Sequence, residues 1–417
     1  MRIIADLHIH SKYARACSPK LTPENLGVWA GKKGIGLLGT GDFTHPGWMR
    51  DLDAVLDEIE AGLYKLRGQA DDVRFMFTSE LASIYKQGEK VRRVHNLVFA
   101  PSMDVAKKFS QALEKRGVNV KADGRPIMGV HCNDLVKIAK DIDEGMEIIP
   151  AHAWTPHFGV FGSLSGFNTL QEAFGDQTKY IFAIETGLSS DPAMNWRVAG
   201  LDSISLISNS DPHSLHRLGR EANIFEVNSK KLSYAEVIRI IKNKNPQEFI
   251  STIEFFPEEG KYHLDGHRDC KFSCEPSRTK QLGGVCPVCG KQLLRGVLNR
   301  VDELADREIG QLLPRAIPYK SVVPLEEIIA DVLDVGVASK KVQLKYEHAL
   351  AGFTEFDILL SLNEQDLLKL LDVEVAAAVL RVREGLVKLV AGYDGEYGHV
   401  GVTSNDVSKK HGQRSLF

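Results

Sequence analysis

From residue 1 to about 230, short runs of β-branched and apolar residues alternate with stretches whose apolar positions recur every three or four residues. The short runs are Arg2–Leu7, Gly36–Gly41, Val73–Glu80, Val94–Ala100, Glu147–His152, Tyr180–Glu185 and Ser203–Ser208, and their length and composition predict strands. Trp48, Leu52, Val55, Leu56, Ile59, Leu63 and Leu66 follow steps of three and four, which predicts one amphipathic helix between two of those strands. Such alternation predicts an α/β domain with largely parallel strands.

After residue 230 the pattern changes. Leu232–Asn243 reads as a helix, and Lys261 to Arg300 is rich in turns, cysteines and bases. Further helices are expected over Pro324–Leu333, Val342–Ala351, Glu364–Leu371 and Val375–Val390, and Gly392 to Phe417 reads as a polar, mobile end. The expected division is a barrel over 1–230, a connecting helix with a zinc-binding module over 231–312, a helical domain over 313–400 and a flexible tail over 401–417. Arg2–Leu7 follows the first Met directly, and Ala151 to Gln171, though uncharged, holds His, Pro, Asn and several Gly. Neither a secretory leader nor a membrane span is expected, and the chain reads as cytoplasmic.

The polar residues sit where the strands stop. His8 and His10 follow the first strand, Asp42 and His45 the second, Glu80 ends the third, His152 closes the fifth, and Asp211 and His213 follow the seventh. His95 lies near the start of its strand. Two imidazoles at i and i+2 on a strand point to one side, and α/β barrels carry chemistry at the C-terminal strand ends. Four independent elements of this kind predict a metal site on a closed or nearly closed barrel.

These motifs resemble those of the polymerase-and-histidinol-phosphatase (PHP) family of metal-dependent phosphoesterases, over about the first 215 residues. The resemblance implies an α/β fold, a distorted (β/α)7 PHP barrel, holding two or three divalent metals (zinc, manganese or magnesium). It implies His8, His10, His45, Glu80, His95, His152, Asp211 and His213 as ligands, with Glu80 bridging two metals and Asp42 orienting a ligand. His8, His10, Glu80, Asp211 and Asp42 are the implied catalytic set. Imidazole-rich ligation favours zinc, manganese or iron over magnesium, and clustered metals suit phosphate-ester hydrolysis. Ser11 to Ser18 offers no further His or Asp of the kind the family often places there, and His131 and His157 are spare.

Composition adds one constraint. With 52 Lys+Arg against 55 Asp+Glu the 417-residue chain carries −3, which excludes coating of DNA by net charge alone. The bases are concentrated instead: eight of them face three acids between Lys261 and Arg300, a local +5. Cys270, Cys274, Cys286 and Cys289 in that segment have the spacing of a structural zinc site with four thiolates, in which His263 or His267 is a possible substitute for one cysteine. Lys271, Arg278, Lys280 and Arg295 there, and Lys12, Arg15, Arg217 and Arg220 beside the ligand motifs, are candidate contacts to a nucleic-acid backbone.

Barrel motifs, cysteine module, helical segment and Gly392-Tyr393-Asp394-Gly395-Glu396-Tyr397-Gly398 together resemble the endonuclease Q family. That resemblance implies a DNA repair endonuclease that nicks DNA, double- or single-stranded, 5′ of deaminated bases (uracil, hypoxanthine, xanthine) and of abasic sites. Reading one altered base requires its extrusion from the stack, and Gly162, Ser163, Gly166 and Asn168 are the expected base pocket. Gln413, Leu416 and Phe417 at the end of the chain resemble a sliding-clamp-binding peptide. A small-molecule phosphatase leaves the module and tail unexplained, and a non-catalytic scaffold leaves the full ligand set unexplained.

Overall fold

The computed structural model describes residues 1–68, 72–311 and 313–403. Arg2–Asp6 lies at the centre of an eight-stranded sheet. It pairs parallel with Leu37–Gly39, which pairs parallel with Arg74–Met76. On its other side Arg2–Asp6 runs antiparallel to Ala222–Glu226, and that strand runs antiparallel to Phe249–Glu254. A second sheet holds the long hairpin Thr78–Gln87 and Lys90–Phe99, flanked by Glu147–Pro150 and Ile127–Met128. Ala183–Glu185 and Ser205–Ile207 form a parallel pair. The pairing is therefore mixed, where alternation alone suggested mostly parallel strands.

The three sheets share one interior. Ile3, Ala5, Leu7, Leu37, Met76, Leu97, Phe99, Ile149, Ala183, Ile207 and Phe225 form a single buried cluster drawn from strands of all three. Period-two alternation turns the same strands' other residues outward to the helices: Leu81, Val94 and Val98 pack with Trp48, Leu52, Phe109 and Leu135. Helix Pro23–Lys33 shows its sequence signals plainly, with Thr22 accepting from the Asn25 N–H at its start and Gly34 in the left-handed region (φ 89°) at its end.

Two helix expectations fail. The helix that begins at Pro46 stops at Val55, and Leu56–Glu60 and Leu63–Leu66 form a hairpin. Gly62, at φ 75°, makes the turn with its N–H donating to Glu58, and the apolar steps of three and four are shared accidentally between helix and hairpin. The last helix, Val373–Arg383, ends where Gly385 takes φ 68°. Lys388–Val390 then pairs with His399–Gly401, so residues 392–403 are folded rather than loose. Gln413, Leu416 and Phe417 lie outside the described residues.

The C-terminal helices Leu325–Leu333, Lys340–Ala349 and Val373–Arg383 have a core of their own around Leu325, Ile328, Val342, Tyr346 and Val379. They dock on the body through Lys33, whose ammonium meets Glu355 at 2.6 Å with both side chains 3% exposed. The Tyr346 hydroxyl and the Leu325 N–H donate to the same carboxylate. Among the described residues no helix is long and apolar enough to cross a membrane.

Candidate active site

Strand ends bring two donor groups together, His8 with His10 and Asp211, and Glu80 with His95 and His152. Glu80, of the second group, also reaches the two histidines of the first. Its Oε1 lies 2.6 Å from His95 Nδ1 and 3.0 Å from His152 Nε2, and its Oε2 lies 3.4 Å from His10 Nε2 and 3.7 Å from His8 Nε2. Asp42 (φ 44°), His152 (φ 28°) and Asp211 (φ 43°) all take left-handed backbone, rare for residues other than glycine. Gly187 allows one of these turns, since a Cβ there would meet the His152 Cβ at 2.6 Å.

Buried acceptors fix the imidazoles. His8 Nδ1 donates to Glu185 (3.0 Å), which also accepts from the His152 N–H and the Asn209 amide. His10 Nδ1 donates to Asp42 Oδ1 (3.0 Å), whose other oxygen accepts from the Ser11 N–H and hydroxyl. His152 Nδ1 contacts the Thr155 hydroxyl at 2.6 Å. Each of these imidazoles therefore presents Nε2 inward, the arrangement that metal-binding histidines require.

His8 Nε2, His10 Nε2 and Asp211 Oδ1 are buried and lack hydrogen-bond partners. His10 Nε2 and Asp211 Oδ1 are 3.0 Å apart but misaligned for a hydrogen bond. Burial opposes a charge on His8, yet Glu185, Glu80 and Asp211 outweigh it and hold that imidazole protonated well above its usual range. The same balance, with Asp42 leading, raises His10. Burial also opposes a charge on Glu80, but His95, Arg125 and His8 keep it ionised well below the usual range. An excess of carboxylate around inward-facing imidazoles calls for positive charge, and unpaired nitrogens with a shared carboxylate fit divalent metals.

His213 lies beside this centre, 5.2 Å from His10 between ring centroids, but outside both donor groups. His45 is corrected: Pro46 starts a helix immediately after it, so its Nδ1 accepts from the Gly47 and Trp48 N–H groups and its ring stacks on Tyr13. Asp42 orients His10 rather than facing the centre. Glu185 and Arg125, which donates to Glu80 Oε2 at 2.9 Å, are site residues that sequence reading missed. Glu185 closes an expected strand, which is a usable signal; Arg125 sits in an irregular segment that carries none.

A cavity of about 450 Å³ opens from the centre. Its walls include His95, His152, Asp211 and His213, the cations Arg217, Arg220 and Lys261, and the rings of Phe158, Tyr262 and Tyr397. The expected base pocket is not there. Gly162 and Gly166 pack backbone to backbone, the Ser163 hydroxyl donates to the Arg295 carbonyl, and Asn168 accepts from Arg300, so these residues fasten their loop to the cysteine module. Lys12 is paired with Asp51.

In that module His267, Cys270, Cys286 and Cys289 converge, and Cys274 does not join them. The hairpin register explains the exchange: His267 faces Phe272, whereas Cys274 faces Asp265, two residues further along the ladder and roughly 7 Å away. Cys274 Sγ instead contacts the Thr279 hydroxyl at 3.3 Å.

Comparisons with known proteins agree with this geometry. Residues 324–386 match the family model of the MJ0043 C-terminal domain. The uncharacterized protein YqxK of Bacillus subtilis is 30% identical over 413 residues, covering 96% of this chain and 99% of that one. The uncharacterized protein MJ0043 of Methanocaldococcus jannaschii is 29% identical over 255 residues, 60% of this chain and 31% of that longer protein. The crystal structure of the lesion-specific endonuclease PfuEndoQ from Pyrococcus furiosus superposes with a TM-score of 0.85 at 31% identity, over 99% of this chain and 98% of that one. An Endonuclease Q bound to a 27-mer duplex substrate with an abasic lesion at its active site also gives 0.85 and 31%, over 99% of both chains. Likeness at that level runs through body, module and helices alike, and the chain belongs to the endonuclease Q family.

Proposed function

We propose that this protein is a metal-dependent DNA repair endonuclease that hydrolyses the phosphodiester 5′ of deaminated bases and abasic sites. The carrying observation is the double donor group shared by Glu80, in a chain that matches a lesion-specific endonuclease along its whole length. The body is read as a distorted PHP barrel, with His8, His10, Glu80, His95, His152 and Asp211 holding two divalent metals and His213 in reserve for a third. When bound, these metals supply Lewis acidity that activates water near neutral pH and offsets phosphate charge.

The chain's own groups do the rest. Arg217, Arg220 and Lys261 face the cavity and suit the phosphates that flank the scissile bond. The Arg220 guanidinium is held there by the Ser210 and Asp211 carbonyls. Phe158, Tyr262 and Tyr397 supply faces for an extruded nucleotide, in place of the glycine-rich loop. His267, Cys270, Cys286 and Cys289 suit a structural zinc, and Lys271, Arg278, Lys280 and Arg295 around it suit contacts to the duplex backbone. The terminal Gln413, Leu416 and Phe417 are proposed to bind a sliding clamp.

The test uses labelled duplexes carrying uracil, hypoxanthine, an abasic site or no lesion, incubated with zinc or manganese beside a generic phosphatase substrate. Nicking 5′ of each lesion, lost in His8→Ala and Asp211→Ala, is the expected result. Phosphatase activity alone, or inactivity towards every substrate, overturns the reading.

A further inference from the structure

The hairpin that carries Glu80 and His95 does not end at the metal centre. Leu37–Gly39 and Arg74–Met76 run parallel to Arg2–Asp6, and the ligand-bearing segments after the first two strands lie just past their ends. The chain passes only Phe77 before it resumes as Thr78–Gln87, with Thr78 hydrogen-bonded beside Thr40 and Gly41. Glu80 is the third residue of that strand. The remaining residues therefore continue outward beyond the level of the site, and Lys90–Phe99 returns beside them.

Register decides what faces the same way. Directly opposed residues of an antiparallel pair share a face, and every second pair repeats it. The pairs Glu80–Leu97, Ala82–His95, Ile84–Arg93 and Lys86–Val91 are thus on one face. The face that delivers Glu80 and His95 to the metals delivers Arg93 and Lys86 further out. Both are exposed, and neither has an ion-pair partner among the described residues. Val91, beside Lys86, is 52% exposed.

The arm is braced. The Arg92 guanidinium lies 4.1 Å from the Phe167 ring centroid and donates to the Gly166 carbonyl. Gln87 donates to the Glu172 carbonyl, Ser165 to that of Arg93, and the His95 N–H to that of Phe158. The loop taken for a base pocket thus holds the hairpin upright.

We infer that the outer half of this hairpin is a docking arm for the duplex that flanks the cleavage site, with Arg93 and Lys86 on its phosphates. The inference rests on the endonuclease reading above. At about 3.4 Å per strand residue, Arg93 stands roughly 14 Å and Lys86 roughly 20 Å along the ladder from Glu80. At 3.4 Å per base pair these are about four and six base pairs from the scissile bond. A polyanion of that spacing is the partner the unpaired cations fit.

The experiment compares wild type, R93A/K86A and the charge-keeping R93K/K86R. Salt titration of binding to an undamaged duplex, read by anisotropy, should give a slope shallower by up to about 1.8 in the alanine variant, since each phosphate contact contributes about 0.9. On a lesion duplex with long flanks that variant should raise KM roughly tenfold and leave kcat unchanged. Shortening one flank to three base pairs should abolish the difference from wild type, shortening the other should not, and R93K/K86R should behave as wild type. Equal slopes and KM values for wild type and R93A/K86A, or the same defect on both shortened duplexes, overturn the arm. Failure of the wild-type enzyme itself to nick a lesion duplex defeats the endonuclease reading instead, so the two failures are distinguishable.

Discussion

The candidate metal centre of the body and the donor group of the cysteine module are built on opposite principles. The first draws ligands from residues 8 to 211, set by strands whose inner faces fill one core, and His8, His10 and His152 are pinned by buried or half-buried acceptors. The second draws His267, Cys270, Cys286 and Cys289 from one short stretch, with Cys286 buried but Cys289 exposed. A site held by a fold exists before its metal arrives. A site held by two turns depends on the ion for its shape.

That contrast can be broken by mutation. Glu80→Ala should lower nicking by roughly a thousandfold or more, because it strips both donor groups at once, while the circular dichroism spectrum stays native. A melted body in that variant would mean that the metals hold the fold together. Cys286→Ser should instead abolish metal binding by the module and open residues 261–296 to protease, with the body intact. Cys274→Ser should leave the module's metal content unchanged; a loss of bound metal would restore the four-thiolate site.

Glu185→Gln sharpens the comparison within the body. It keeps shape but weakens the acceptor for His8, and metal affinity should fall about 10–100-fold by calorimetry, without loss of folding. The smallest effect is expected behind the site. Burial pushes the Glu254 carboxyl from its usual 4.5 up to about 8, and Glu221 is raised in the same buried setting, with Glu254 as its neighbour. Between those values the folded chain holds a proton that the unfolded chain releases, so this group's contribution to stability falls as pH rises from 4.5 to about 8. Glu254→Gln should flatten that part of the Tm-against-pH curve, and an unchanged slope would contradict the assignment.

Much of the body site was legible because its signals are local. His8 and His10 read as a same-side pair, and Asp42, Glu80, His152 and Asp211 fall at the ends of runs whose composition marks strands. What stayed hidden depends on tertiary placement. Nothing in the sequence near Glu185 says that it braces a histidine 177 residues away, and Arg125 reaches Glu80 from an irregular loop. The exchange of Cys274 for His267 turned on hairpin register, which four cysteines at regular spacing conceal. The helix expected through Leu66 failed because apolar steps of three and four fit a helix and its following hairpin equally well. The glycine-rich segment after His152 looked like a pocket and serves as a buttress.

The Lys33–Glu355 contact carries one more consequence. Removing the Glu355 carboxylate with the helices still in place would leave a lysine ammonium in the interior facing no counter-charge, and breaking such a buried pair typically costs about 3–5 kcal/mol. That is a large fraction of the stability of an ordinary domain. The helical region is thus fastened to the body by two kinds of contact at once: Trp29 and Leu360 pack against both cores, and a buried ion pair bridges them.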